Sequence, residues 1–205
     1  MVKIKIVRHS ERLDYTYPLY WLICFGYHWS DSPLTTNGYK MVKKKSKKII
    51  DNNFNPKYIY TSPYIRTMGT AAEIQKLFYN SQILIEPLLS EYQPYFSHCT
   101  SIYPNGIPTI YNDMETGFMY PETEENFYQR VKFIIQKIIE KHDDDLILVT
   151  HGEFIKKYIN YLQKMYPQLV LDPGKTPYLT VLSFECVKNK DGFNIIQDSI
   201  KIEQD

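Results

Sequence analysis

The sequence contains no long hydrophobic run. Its most apolar stretch, Pro18 to Trp29, carries tyrosines and a histidine and is shorter than the roughly 20 residues a bilayer span requires. The N-terminus alternates lysine with aliphatics and has no apolar segment of signal-peptide length, so the chain is expected to be cytoplasmic. Cysteine is scarce. Cys24, Cys99 and Cys186 are odd in number and widely spaced, which argues against a disulfide framework and fits a reducing compartment. An excess of one charge is also missing. Lys+Arg of 24 against Asp+Glu of 23 leaves a formal net charge of +1, so no global field recruits nucleic acid or a membrane, and neither is an expected partner. There is no H-E-x-x-H and no Cys/His pairing at zinc spacing, so no metal or other cofactor is implied. Internal repeats, linkers and low-complexity tracts are absent as well. Residues 1–205 read as one domain, long enough to bury a core.

What is present is an ordinary 43% hydrophobic fraction and an unusual number of tyrosines, 19 in all. Val2 to Val7 alternates and reads as an opening strand that runs into Arg8-His9-Ser10-Glu11-Arg12. Tyr58 to Thr61 and Leu146 to Thr150 read as further strands, ending in Ser62-Pro63 and His151-Gly152. Ile83 to Glu86, Leu179 to Glu185 and Phe193 to Ser199 are expected to complete the set. Helical patterns fall between them at Asn37 to Asp51, Pro63 to Leu77, Glu124 to Lys141 and Glu153 to Met165. Ser62 is expected to cap the second of these, with Pro63 at its first position. Thr123-Glu124-Glu125 is expected to cap the third. The order predicts a layered α/β domain with helices on both faces and polar strand ends gathered on one edge.

The chemistry is concentrated on that edge. Arg8 and Arg12 flank His9, and guanidinium is the side chain best shaped for bidentate phosphate binding. Like charge disfavours the imidazolium, so His9 is biased toward the neutral, nucleophilic form. Arg66 falls on the first turn of a predicted helix, near amides suited to an anion. His151 sits at a strand-to-helix junction beside Gly152, which permits close backbone approach. The run from Glu86 to Tyr92 supplies carboxylates after a strand. The cysteines offer no rival nucleophile, because the position six residues after each is Ser30, Asn105 or Gly192 rather than the arginine of cysteine phosphatases.

The residues Ile6-Val7-Arg8-His9, Asp31-Ser32-Pro33-Leu34-Thr35-Thr36-Asn37-Gly38, Ser62-Pro63-Tyr64-Ile65-Arg66-Thr67-Met68-Gly69-Thr70-Ala71 and Val149-Thr150-His151-Gly152 carry a resemblance. In these elements the chain resembles the histidine phosphatase, or phosphoglycerate-mutase-like, superfamily. The resemblance implies a three-layer α/β/α fold with a mostly parallel central sheet. Glu11-Arg12-x-Asp14, Glu86-Pro87 to Glu91-Tyr92 and Thr176-Pro177-Tyr178-Leu179 resemble the branch of the Sts and ecdysteroid-phosphate phosphatases. Mutases instead carry Ser at the Arg12 position and Asn where this chain has Tyr15. The family's Gly after the nucleophile is Ser10 here, which could crowd the phosphate or donate to it.

The resemblance implies a metal-independent phosphomonoester hydrolase acting on a phosphorylated small molecule or phosphotyrosyl peptide. Arg8, Arg12, Arg66 and a protonated His151 would surround the phosphate, His9 would attack phosphorus to give a phosphohistidine, and Glu91 would serve as acid and then base. Mildly acidic to neutral pH is expected to favour it. The alternatives are a mutase or sugar bisphosphatase, and a binding module that has lost turnover.

Tyr15, Tyr17, Tyr20, Trp21, Phe25, Tyr27 and Trp29 crowd an insertion between two of these elements. Two readings stay open for it: an aromatic wall for the leaving group, with Tyr15, Trp21, Trp29 and Tyr92 lining the pocket, or a packed loop over the sheet edge. Lys40, Lys43, Lys44, Lys45, Lys47 and Lys48 are read as a solvated helix face, and Asp143-Asp144-Asp145 as a solvated turn.

Overall fold

The structure, a computed structural model, describes residues 1–25, 31–49, 53–94, 121–172, 174–190 and 192–204. Its elements in chain order are β1 (Val2–Arg8), α1 (Leu13–Thr16), α2 (Pro18–Phe25), α3 (Thr36–Ile49), β2 (Tyr58–Thr61), α4 (Ile65–Gln75), β3 (Gln82–Ile85), α5 (Glu124–Lys141), β4 (Leu146–Thr150), α6 (Gly152–Met165), β5 (Val181–Asn189) and β6 (Gly192–Glu203). A 3₁₀ turn, Pro87–Leu89, follows β3.

The strands form one six-stranded sheet in the order β3-β2-β4-β1-β5-β6. The first four run parallel, and β5 and β6 complete it antiparallel. Burial explains why the central strands read as continuous apolar runs. Every residue of β4, Leu146 to Thr150, is buried, as expected for a strand covered on both faces. Its side chains alternate between two cores. Leu146 and Leu148 join Ile4, Ile6 and Tyr60 under α5 and α6. Ile147 and Val149 join Val7, Ile59, Ala71 and Ile74 under α3 and α4. The expected layered α/β fold with helices on both faces is what the chain adopts.

Several boundaries differ from expectation for identifiable reasons. The fifth strand starts at Val181 because Leu179 has φ 62°, the only positive φ of a non-glycine among the described residues. There Thr180 N–H closes a turn onto the Pro177 carbonyl at 3.1 Å. The helix after β2 begins at Ile65, with Tyr64 rather than Ser62 at its cap. Part of the aromatic insertion is helical, as α1 and α2. Thr123 caps α5 as expected, accepting from Asn126 N–H at 3.1 Å. Asp145 is more than a solvated turn: its carboxylate accepts from Lys3 N–H at 2.9 Å and Asn55 N–H at 3.2 Å, fastening the far end of the sheet. Lys45 of α3 is buried rather than solvated.

What matters for function is register. Arg8 pairs with Thr150, and Thr61 pairs with both Val149 and Ile85. The four parallel strands therefore end level, and the residues that follow them, His9, Ser62, Glu86 and His151, emerge on one edge.

Candidate active site

His9 N–H donates to the Thr150 carbonyl at 2.9 Å, so the ladder between β1 and β4 extends one step into the site. The two histidines that follow these strands stand edge to face, with ring centroids 5.3 Å apart. Nδ1 of His9 lies 2.8 Å from the Ser10 carbonyl. A carbonyl only accepts, so Nδ1 carries the proton and Nε2 keeps its lone pair. Burial pushes the His9 pKa well below its ordinary value, and Arg66, Arg8 and Arg12 push the same way against the Ser10 hydrogen bond. The imidazole is neutral at neutral pH.

His151 is fully buried and its tautomer is equally defined. Arg66 Nη2 approaches Nδ1 at 3.3 Å and can only donate, so Nδ1 accepts and Nε2–H is directed at Ser62 Oγ, 2.9 Å away. Burial, Arg66 and His9 hold the His151 pKa well below the ordinary value too. The expectation of a protonated His151 is therefore not met in this arrangement, because the ring is desolvated and Arg66, His9, Arg12 and Arg130 all disfavour its cation.

The three arginines are held differently. Arg66, 1% exposed, donates through Nη2 to Glu91 Oε2 at 2.7 Å, lies 3.9 Å from Asp31 Oδ1, and packs on the Tyr64 ring at 4.1 Å. Arg12 is clamped by Asp14 in a bidentate pair of 2.7 and 2.5 Å and stacks on Tyr15 at 4.1 Å. Arg8 donates to the Thr176 carbonyl and lies over Tyr178 at 4.7 Å, with its buried Nε unpaired. Tyr178 in turn is 5.8 Å from the His9 ring.

Ser10 is committed to protein partners through both its N–H and its hydroxyl. Its φ is not positive, its N–H donates to Thr70 Oγ1 at 3.1 Å, and its hydroxyl donates to the Gly38 carbonyl at 2.8 Å. The hydroxyl binds the loop after β1 to α3. Gly38 is required there, because a Cβ would meet the Glu11 carbonyl at 2.6 Å.

Beside Arg12 and Arg66 opens a cavity of about 500 Å³ lined also by Tyr15, Pro18, Trp21, Tyr64, Glu91 and Tyr92. Of the expected pocket aromatics, Tyr15, Trp21 and Tyr92 line it, and Trp29 lies outside the described residues. Residues of α1 and α2 thus form one wall of the cavity. Sequence reasoning missed Ser62, Tyr64 and Tyr178 as members of the site. Ser-Pro before a helix signals a cap, and Tyr178 is visible in the sequence only within the Thr176-Pro177-Tyr178-Leu179 motif. Among the described residues no group of three or more His, Cys, Asp or Glu is arranged to hold a metal ion.

A neutral imidazole with a free Nε2, beside convergent guanidiniums and a carboxylate, can accept a phosphoryl group and handle a proton at the leaving oxygen. The chain is similar to several known proteins. A protein of Acanthamoeba polyphaga mimivirus, described as an uncharacterized phosphoglycerate mutase family protein, is 60% identical over 99% of this chain and 98% of its own length. The ecdysone phosphate phosphatase of Bombyx mori, solved in complex with tungstate, shares the fold at a TM-score of 0.65 and 17% identity, over 98% of this chain and 94% of that one. The phosphoglycerate mutase of Bacillus anthracis does so at a TM-score of 0.62 and 18% identity, over 99% and 92%. Residues 6–191 match the histidine phosphatase superfamily (branch 1), and the chain belongs to that family.

Proposed function

We propose that this protein is a phosphomonoesterase that works through a phosphohistidine at His9. The observation that carries the reading is the Nδ1 contact of His9 with the Ser10 carbonyl, which leaves Nε2 unprotonated in a ring that burial keeps neutral. In-line attack by Nε2 on phosphorus breaks the bond to the ester oxygen. Arg8, Arg12 and Arg66 neutralise the charge on the equatorial oxygens. An incoming phosphate dianion also supplies the nearby negative charge that favours His151 as a cation. Glu91 gives its proton to the departing oxygen and takes one from the water that hydrolyses the phosphohistidine. Because the His9 pKa is depressed, the acidic limb of the rate profile lies below the ordinary histidine range.

The aromatic lining of Tyr15, Trp21, Tyr64 and Tyr92 suits an apolar or aromatic leaving group, as in a phosphorylated small molecule or a phosphotyrosyl peptide. A mutase would need further cations for a second anionic group. The cavity's other charged residues, Asp14 and Glu91, are acidic.

Hydrolysis of p-nitrophenyl phosphate in EDTA by wild type and His9→Ala tests the reading, with acid-labile labelling of His9 as its second arm. Activity that survives EDTA, disappears in the variant and is accompanied by label is the expected result. An inert wild type that still binds vanadate or tungstate would replace it with a narrow-pocket mutase or a binding module.

A further inference from the structure

Arg130 stands at a helix position that should be apolar. It lies on α5 among Phe127, Val131, Ile134 and Ile135, and it is fully buried. Its five N–H groups all have acceptors. Nε and Nη2 grip Glu122 at 2.9 and 2.6 Å, a buried bidentate pair. The remaining three donate to backbone carbonyls of one short segment: Nη1 to Leu88 at 2.6 Å and Ser90 at 3.0 Å, and Nη2 to Glu91 at 3.3 Å. The one carbonyl skipped in that run, Leu89, accepts from Thr150 Oγ1 at 2.7 Å. Glu122 ties down the next residues, accepting from Gln93 N–H at 3.0 Å and donating its own N–H to the Gln93 carbonyl at 2.9 Å.

We infer that Arg130, set by Glu122, is a positioning residue that fixes the backbone from which Glu91 reaches the leaving oxygen. The inference rests on the acid role proposed for Glu91. Stability alone does not account for a buried ion pair, since apolar replacements of similar volume often hold a fold equally well. What an apolar pair could not do is satisfy three non-repetitive carbonyls from one planar fork. The geometry matters because a displacement of about 1 Å can cost on the order of 100-fold in rate. Glu91 has no such latitude: its side chain is one-third exposed, and its carboxylate is otherwise directed by Arg66 and, at 3.7 Å, by His151.

The test uses kcat/KM, which reports the first chemical step, for p-nitrophenyl phosphate and for an unactivated alkyl phosphate. Arg130→Lys keeps the charge opposite Glu122 but lacks the fork. It is expected to lose tenfold or more on the alkyl ester and less than twofold on p-nitrophenyl phosphate. Glu91→Gln should show the same split, and the Glu91→Gln/Arg130→Lys double variant should be no worse than Glu91→Gln alone. Glu122→Gln, a milder change that answers the question even if Arg130→Lys fails to fold, should move both substrates in the same sense by less. Equal losses on the two esters, or additive losses in the double variant, would overturn the positioning role while leaving the acid role of Glu91 standing. A flat response of Glu91→Gln itself would overturn the acid role, and the positioning role with it.

Discussion

The guanidinium of Arg66 and the carboxylate of Glu91 are hydrogen-bonded at 2.7 Å. The group proposed to protonate the leaving oxygen therefore rests on a donor proposed to bind the phosphate. Nη2 also touches His151 Nδ1, so an arriving phosphate oxygen and Glu91 compete for one edge of one side chain. Under the proposed mechanism, that competition would keep Glu91 within reach of the reacting group and weaken the grip on orthophosphate.

Removing that competition has a measurable consequence. Glu91→Gln replaces an anion on Arg66 with a neutral amide, and a charge-assisted hydrogen bond is worth about 1.5–3 kcal/mol when formed. Recovering half of this would tighten orthophosphate or vanadate inhibition by roughly three- to tenfold. The variant should thus bind product better while turning over unactivated esters more slowly. Inhibition constants against p-nitrophenyl phosphate would show it, and an unchanged or weaker constant would remove the competition from the account.

The residue after the nucleophile makes an opposite prediction, a change in stability without a change in rate. The Ser10 hydroxyl is committed to the Gly38 carbonyl and its φ requires no glycine. Ser10→Gly forfeits a hydrogen bond worth about 0.5–1.5 kcal/mol and adds chain entropy of about the same order. Thermal unfolding should move down by several degrees while kcat/KM stays within twofold. A large rate gain would mean that Ser10 does obstruct the phosphate.

How much of this was legible in the sequence depended on whether the signal was local. Arg8, His9 and His151 were readable because each ends or follows a strand whose pattern is strong, and Arg66 because it falls on the first turn of the helix after β2; parallel register brings those strand ends together. Ser62 was misread because Ser-Pro before a helix is a capping signal, and the capping rule gave way to a tertiary partner, His151, far along the chain. The α1–α2 hairpin was missed because its helices are short and α2 is almost uniformly apolar, leaving no amphipathic period to detect. Arg130 did leave a trace, a charge on the buried stripe of an amphipathic helix. Glu122 lies only 8 residues away, but the carbonyl of Leu88 lies 42 away, a separation no window of local pattern spans.

Gly152 separates two effects of opposite sign. It opens α6, where exchanging glycine for alanine ordinarily gains up to about 1 kcal/mol of helix propensity. Here a Cβ would meet Thr176 Oγ1 at 2.7 Å and Arg8 Nε at 3.2 Å, and forced overpacking costs about 1–3 kcal/mol. Gly152→Ala should therefore destabilise the fold and displace the Arg8 guanidinium, raising KM and the vanadate inhibition constant about tenfold. A stabilised variant with unchanged KM would show that Arg8 has room to move.

Acid should unfold this protein earlier than its carboxylates alone require. His9 and His151 are held below the ordinary histidine value of 6.5 by burial first and Arg66 second, and His142 is lowered by burial and Lys141. In the unfolded chain these rings take up protons near 6.5, while the folded chain excludes them until lower pH. Between those limits the unfolded state binds more protons, so stability is full above the unfolded value and falls as pH drops through it. The slope is bounded at about 1.4 kcal/mol per pH unit for each histidine, or roughly 3 for the two in the site. Melting temperatures between about pH 7 and pH 5, a range in which Asp and Glu titrate little, should decline steadily. His9→Gln and His151→Gln should each flatten the decline. Vanadate should flatten it as well, by bringing to the pocket the negative charge that offsets an imidazolium. A melting temperature level across that range would mean that both rings accept protons in the folded state as readily as in the unfolded chain. His9 would then lose its claim to be a neutral nucleophile in mild acid.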